Sequence, residues 1–169
     1  MAMPFWQAFS PFNFFGLNYY QQQYNPFTEN QNYNYQQNNS IFASQREIKG
    51  RVLYQNALAG IPDISPNPPL CARYVKNAIV NSGLGIYEYG NGEQTKYMLR
   101  RNPNFMEVKV KGDDLKYLPE GTVITYDAND SGIGPDGHVV IKGAGEYAIS
   151  DRFENFIIPS DNAHTFILA

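Results

Sequence analysis

The chain has a single cysteine, no long apolar run and no excess of basic residues, and each shortage excludes a class of protein. One cysteine rules out an internal disulfide. No apolar stretch reaches the roughly 20 residues that a membrane-spanning helix needs. The 16 acidic residues outnumber the 13 basic ones, so no basic surface for nucleic acid is indicated. We therefore expect neither a membrane span nor a nucleic-acid partner.

Metal ligands are also scarce. One cysteine and two histidines show no zinc-ligand spacing. The segment that starts at Asp127 begins like a calcium-binding EF-hand loop, with oxygen-bearing side chains at its first, third and fifth positions and glycine at the sixth. However, His138 stands at the twelfth position, where a bidentate glutamate is required. We therefore expect no metal and no cofactor.

Charged and aliphatic residues are rare in residues 1–43, which consist largely of Asn, Gln, Tyr, Phe and Pro, with Glu29 as the only charged side chain. Such a composition buries too little apolar surface to fold, so this block is predicted to be a disordered tail, either an interaction or delivery segment or a passive extension. Residues 44–169 are long enough for one domain. Ser44, with Glu47 three residues later, predicts the N-terminus of its first helix.

The cysteine lies where a helix is predicted to begin. Pro68 and Pro69 disfavour helix before it, whereas Val75 and Ile79 recur at helical spacing after it. Cys71 therefore falls in the first turn, where unpaired N–H groups and the helix dipole favour a thiolate over a thiol. A lone cysteine is usually a small buried apolar residue, so a nucleophilic role requires a base and a group that orients the base.

A predicted β-hairpin supplies candidates for both groups. β-rich runs flank Gly143–Gly145, and a two-residue turn would place Asp151 directly opposite His138. A carboxylate there would fix the imidazole tautomer and stabilise the imidazolium, as in a nucleophile–histidine–acid triad. A three-residue loop would place Ser150 opposite His138 instead. Cys71, His138 and Asp151 are the candidate catalytic residues, with the choice between Asp151 and Ser150 left open.

The loop after the cysteine helix is rich in tyrosine and glycine. Tyr87, Tyr89 and Asn91 are candidates for lining a substrate groove, although an ordinary surface position is the commoner role for each. Further along the chain, a short helix is predicted over 93–101 and strands over 105–110 and 122–126. The segment from Phe153 onward is predicted to complete the sheet.

Two motifs together resemble the NlpC-type and CHAP-type papain-like hydrolases, bacterial and phage enzymes that cut amide bonds in peptidoglycan. They are the helix CARYVKNAIVNSGL, which opens on Cys71, and GHVVIKGAGEYAISD, which carries His138 and Asp151. The segment LPEGTVITYD is similar to the turn and strand before the histidine in this family. The resemblance covers about residues 69–153. It implies an α+β, papain-like fold with N-terminal helices and with the cysteine at a helix N-terminus, packed on a small antiparallel sheet.

The chain also departs from that family. Thr122 stands where many members have an aspartate after the turn glycine. Many members use His, Asn or Gln as the third residue of the site, which leaves the place of Asp151 less well supported than those of Cys71 and His138.

The resemblance implies a cysteine peptidase or amidase that cleaves peptidoglycan or its stem peptides through a thioester, secreted or delivered to the cell wall or periplasm. The first 20 residues lack the basic start of a secretory signal, and Pro4 and Pro11 interrupt them, which leaves export by another route open. A role as a toxin with an immunity partner stays open, as does an unknown partner of the tail. The alternative is a catalytically degenerate papain-like domain that binds wall material, with the tail mediating assembly.

Overall fold

The computed structural model describes residues 32–169, and side chains from Ser44 onward; of the tail predicted for residues 1–43, residues 1–31 lie outside this range. Helices α1, α2 and α3 span Asn32–Ala59, Cys71–Asn81 and Thr95–Arg101. Strands β1 to β6 span Phe105–Val108, Val123–Tyr126, His138–Lys142, Ala148–Ile149, Phe153–Glu154 and His164–Leu168. The strands form one antiparallel sheet in the order β1-β6-β2-β3-β4-β5.

Helix α1 begins at Asn32, so the N-terminus predicted at Ser44 is wrong. No proline or glycine stands between these two residues to interrupt the helix. A serine followed three residues later by glutamate is compatible with a helix interior when nothing before it stops the helix. The predicted domain boundary at residues 43 and 44 remains a prediction.

Helix α1 packs closely on the turn before β2 because two glycines meet there. A Cβ on Gly50 would lie 2.3 Å from the carbonyl oxygen of Glu120, and one on Gly121 would lie 2.3 Å from the Cα of Gly50. Gly121 also has a φ of +82°, a conformation that favours glycine. One and two turns further along α1, Leu53 and Ala57 are buried in the core. The leucine–proline–glutamate–glycine turn therefore docks the first helix.

Helix α2 buries an apolar stripe against β3 on the same side of the sheet. The cluster there includes Val75, Ile79, Val139 and Ile141. Val140 belongs to a second cluster on the other face, as the alternation of a strand requires. Because α2 starts at Cys71 and β3 starts at His138, this packing places the first residues of both elements side by side.

The order of elements confirms the predicted α+β, papain-like architecture: helices come first, the cysteine opens a helix, and a small antiparallel sheet follows. The predicted short helix and both predicted strands are present as α3, β1 and β2, and the C-terminal segment completes the sheet as β5 and β6. Within residues 32–169, no helix has both the length and the apolar character that crossing a bilayer would take.

Candidate active site

Cys71 and His138 meet where α2 approaches β3. Cys71 is the first residue of α2 and is 9% exposed, and His138 is the first residue of β3. Their side chains lie close enough to interact, and this contact helps to raise the pKa of His138. The structure therefore brings together two of the three residues that the sequence predicts for the site.

Asp151, the third predicted residue, binds the backbone beside the cysteine instead of the imidazole. Its Oδ2 accepts the backbone N–H of Leu70 at 2.6 Å, immediately before Cys71. Its Oδ1 lies 3.1 Å from Ser150 Oγ and 3.3 Å from Arg152 Nε, and the residue is fully buried. The predicted pairing of Asp151 with the histidine is therefore wrong, and this carboxylate anchors the start of the cysteine helix.

The register of the hairpin explains this difference. Ile141 lies opposite Ile149, one residue away from the predicted pairing with Ala148. A shift of one residue moves every side chain to the other face, so neither predicted arrangement, with Asp151 or with Ser150 opposite the histidine, occurs.

Two side chains support the observed turn, Lys142 from within it and Tyr54 from helix α1. The ammonium group of buried Lys142 donates to the carbonyl oxygens of Gly143 and Gly145. The ring of Tyr54, from α1, packs against Gly143 so closely that a Cβ there would lie 2.4 Å from a ring carbon. Counting residues across the turn takes neither contact into account. One comes from a distant helix, and the other comes from a side chain that folds back on its own turn.

Glu154 on β5 makes the contact with His138 that was predicted for Asp151. Its Oε1 lies 2.9 Å from His138 Nε2 and 2.6 Å from Ser150 Oγ, and its side chain is 16% exposed. The chain reverses after β4, so that Ala148 pairs with Glu154 on the outermost strand. Sequence reasoning missed Glu154 because it ended the hairpin at Asp151. The Ser–Asp pair, typical of turns, was the signal for the second reversal.

The surroundings of His138 favour its protonated form. Burial opposes the charge, but the hydrogen bonds to Cys71 and Glu154 outweigh it and raise the pKa of His138 to about 9. The ring of Tyr126 stacks on the imidazole with centroids 6.1 Å apart. Burial, together with the charge of Glu154, raises the pKa of Tyr126, and its hydroxyl donates to the carbonyl oxygen of Ile158 at 3.0 Å. The imidazole is thus held in place and able to carry a proton.

Two glycines allow the backbone to approach His138. A Cβ on Gly92 would lie 2.8 Å from both the Cα and the N of His138. Gly137, with φ +69°, lies so close to Tyr126 that a Cβ would be 2.6 Å from that residue's carbonyl oxygen. The wall around the histidine is therefore made of backbone from two loops.

Asn91, one of the predicted groove residues, closes the turn that leads into helix α3. Its Oδ1 accepts the backbone N–H of Gln94 at 2.9 Å, and Gln94 Oε1 accepts the N–H of Asn91 at 3.2 Å. This reciprocal pair has the hydrogen-bond pattern of a capping box.

The two predicted tyrosines form an edge-to-face pair, with centroids 5.7 Å apart. Tyr89 is 97% exposed and Tyr87 is 40% exposed. Buried Lys76 lies over the ring of Tyr87 and donates to the carbonyl oxygen of Gly90 at 2.8 Å, which holds the loop against α2. A role for Tyr87, Tyr89 and Asn91 in substrate binding stays a prediction.

A cleft of about 640 Å³ opens beside Cys71, His138 and Glu154, and its other walls are largely apolar, with Pro69, Ile133, Pro135 and Phe156 among them. A larger groove of about 890 Å³ lies elsewhere and includes none of the three. In that groove Arg100, Glu107, Asp127 and His164 form ion pairs with one another or with Lys96. We take the smaller cleft as the candidate active site because it contains the reactive groups.

The residues described here offer no cluster of three or more His, Cys, Asp or Glu side chains that could hold a metal ion. The cleft brings together a series of three reactive groups, namely a thiol, an imidazole and a carboxylate. Such a series can generate a sulfur nucleophile and move a proton.

No family model and no curated protein matches the chain. A solved structure does: a chain of the type VI native effector–immunity complex Tae3–Tai3 from Ralstonia pickettii. The similarity has a TM-score of 0.51 at 22% sequence identity and covers 69% of this chain and 96% of that chain. At 22% identity, this similarity shows that the two chains share a fold and shows nothing further about this chain.

Proposed function

We propose that this protein is a cysteine hydrolase of the NlpC/CHAP type that cleaves amide bonds in peptidoglycan peptides, as a peptidase or amidase. The observation that carries the proposal is the series Cys71–His138–Glu154 at the edge of a cleft, in which the imidazole interacts with both other side chains. The two motifs of the sequence resemblance contain the first two residues of this series, and the peptidoglycan substrate comes from that resemblance.

In the proposed reaction, His138 takes the proton of Cys71, and the sulfur attacks the amide carbonyl. The backbone N–H of Cys71 is in the first turn of α2, where no intrahelical acceptor exists, so it can donate to the developing oxyanion. The imidazolium then gives its proton to the leaving amine as the C–N bond breaks, which leaves a thioester. A water molecule that loses a proton to His138 hydrolyses the thioester and restores the thiol.

Glu154 supports both proton transfers in this scheme. Because its Oε1 contacts Nε2, the imidazole presents its other ring nitrogen to the sulfur, and the carboxylate stabilises the positive charge. Asp151 instead accepts the backbone N–H of Leu70, the residue before Cys71, and so fixes the chain where the helix begins. Glu154 therefore takes the role that the sequence assigned to Asp151.

The setting of the reaction is also part of the proposal. The similar solved chain comes from a complex of a type VI effector with its immunity protein. A candidate active site is expected in the effector of such a complex and not in its immunity protein. We therefore propose that this chain is an effector. It would act in the cell wall or periplasm after delivery, and it would have an immunity protein as its partner.

Incubation with purified peptidoglycan sacculi tests the proposed function. Wild-type protein should release soluble peptides or glycan fragments, and their masses, together with each newly formed amine, identify the bond that is cut. Cys71→Ala should release none above background. Equal release by both proteins would remove the proposal. Binding of sacculi by both proteins without any release would favour the alternative of a wall-binding domain.

A further inference from the structure

Arg152 lines the cleft with a guanidinium that is fixed at one end. Its Nε donates to Asp151 Oδ1 at 3.3 Å, and Asp151 is itself fully buried and held by the backbone N–H of Leu70. The side chain of Arg152 is 45% exposed, and the residue is part of the wall that also includes Cys71 and His138. A cation is thus held beside the reactive groups.

The outer end of this guanidinium is free to bind a ligand. Across residues 44–169, its ion pair and its side-chain hydrogen bond both go through Nε to Asp151. Four of the five N–H groups of Arg152 lie on the two terminal nitrogens. They form a planar fork that matches the two oxygens of a carboxylate.

Few other charged side chains line the cleft. Glu154 is paired with His138, so the remaining acidic group of the wall is Asp136. The rest of the described lining consists of Pro, Gly and Ile residues together with Cys71, an asparagine and a phenylalanine. A largely apolar cleft that presents one fixed, half-exposed guanidinium is suited to an anionic group on an otherwise uncharged chain.

We propose that Arg152 binds a carboxylate of the substrate next to the amide bond that Cys71 attacks. This inference rests on the proposed function and specifies its substrate class: a peptide with a free carboxylate close to the scissile amide. Arg152 thereby sets specificity and takes no part in proton transfer.

Binding to an inactive protein tests this inference apart from catalysis. Two synthetic stem peptides are compared by calorimetry on Cys71→Ala protein, one with its α-carboxylates free and one with them converted to carboxamides. We expect the free acid to bind roughly tenfold more tightly, since hydrogen bonds to charged groups contribute on this scale. Adding Arg152→Gln should abolish the difference, and adding Arg152→Lys should retain part of it.

Asp136→Asn, also in the Cys71→Ala background, is the matched control because it changes a charge of the same wall and should preserve the preference for the free acid. Thermal unfolding of each variant verifies that it is folded. Equal affinity for the two peptides, a preference that survives Arg152→Gln, or no binding of either peptide would overturn the inference. The sacculi assay reports separately on the proposed function, because hydrolysis with no carboxylate preference would remove only the role of Arg152.

Discussion

Two carboxylates three positions apart in sequence have different partners in this site. Ser150 Oγ lies 2.6 Å from Glu154 and 3.1 Å from Asp151. A hydroxyl donates one hydrogen at a time, and the shorter contact favours Glu154. Glu154 continues to His138, whereas Asp151 continues to the backbone of Leu70. Ser150 therefore lies between the group that orients the base and the group that holds the start of the cysteine helix, and it donates to the former.

The first prediction at this scale concerns the pKa of His138. Glu154→Gln should lower it from about 9 by roughly one unit or more, because the neutral amide no longer stabilises the imidazolium. Titration of the imidazole by NMR measures this change. Below the folded-state pKa the ring is protonated, so the variant should lose that proton at lower pH than wild type.

Asp151→Asn is the control, because Asp151 binds the backbone N–H of Leu70 and makes no hydrogen bond to the imidazole. Its His138 should titrate near the wild-type pKa. If Asp151→Asn lowered the pKa and Glu154→Gln left it unchanged, Asp151 would be the orienting carboxylate after all.

At the scale of elements, the site depends on close contact between loops and strands. The segment before α3 touches the start of β3 through Gly92, and the first helix touches the turn before β2 through Gly50 and Gly121. Neither contact has room for a side chain. The sequence shows these glycines but not what they touch, because their partners are distant along the chain.

Gly92→Ala should therefore destabilise the protein. Its Cβ would lie 2.8 Å from backbone atoms of His138, so the loop or the strand must move, at a cost of roughly 1–3 kcal/mol in the free energy of unfolding. Denaturant titration measures this cost. Gly134→Ala is the control, since a Cβ there meets no atom within 4 Å, and it should leave the free energy of unfolding nearly unchanged. Equal stability of both variants would contradict the contact.

For the whole molecule, local patterns predicted the elements, whereas the third residue of the site depends on a turn and a chain reversal that those patterns did not predict. The proline pair before Cys71 and the helical spacing after it were enough to locate the start of α2. The register of β3 and β4 was not predictable in this way, because it depends on Lys142 closing the turn and on Tyr54 reaching it from α1. Glu154 was missed because it comes into place only after a second reversal of the chain.

The central claim is that the sulfur of Cys71 and the imidazole of His138, supported by Glu154, act as one reactive pair. The rate of Cys71 alkylation by iodoacetamide at pH 7 measures this pairing without any assumption about the substrate. Wild type should react at least about ten times faster than His138→Gln, because the imidazole takes the proton of the thiol, and Glu154→Gln should lie between them. Equal rates in wild type and His138→Gln would contradict the pairing.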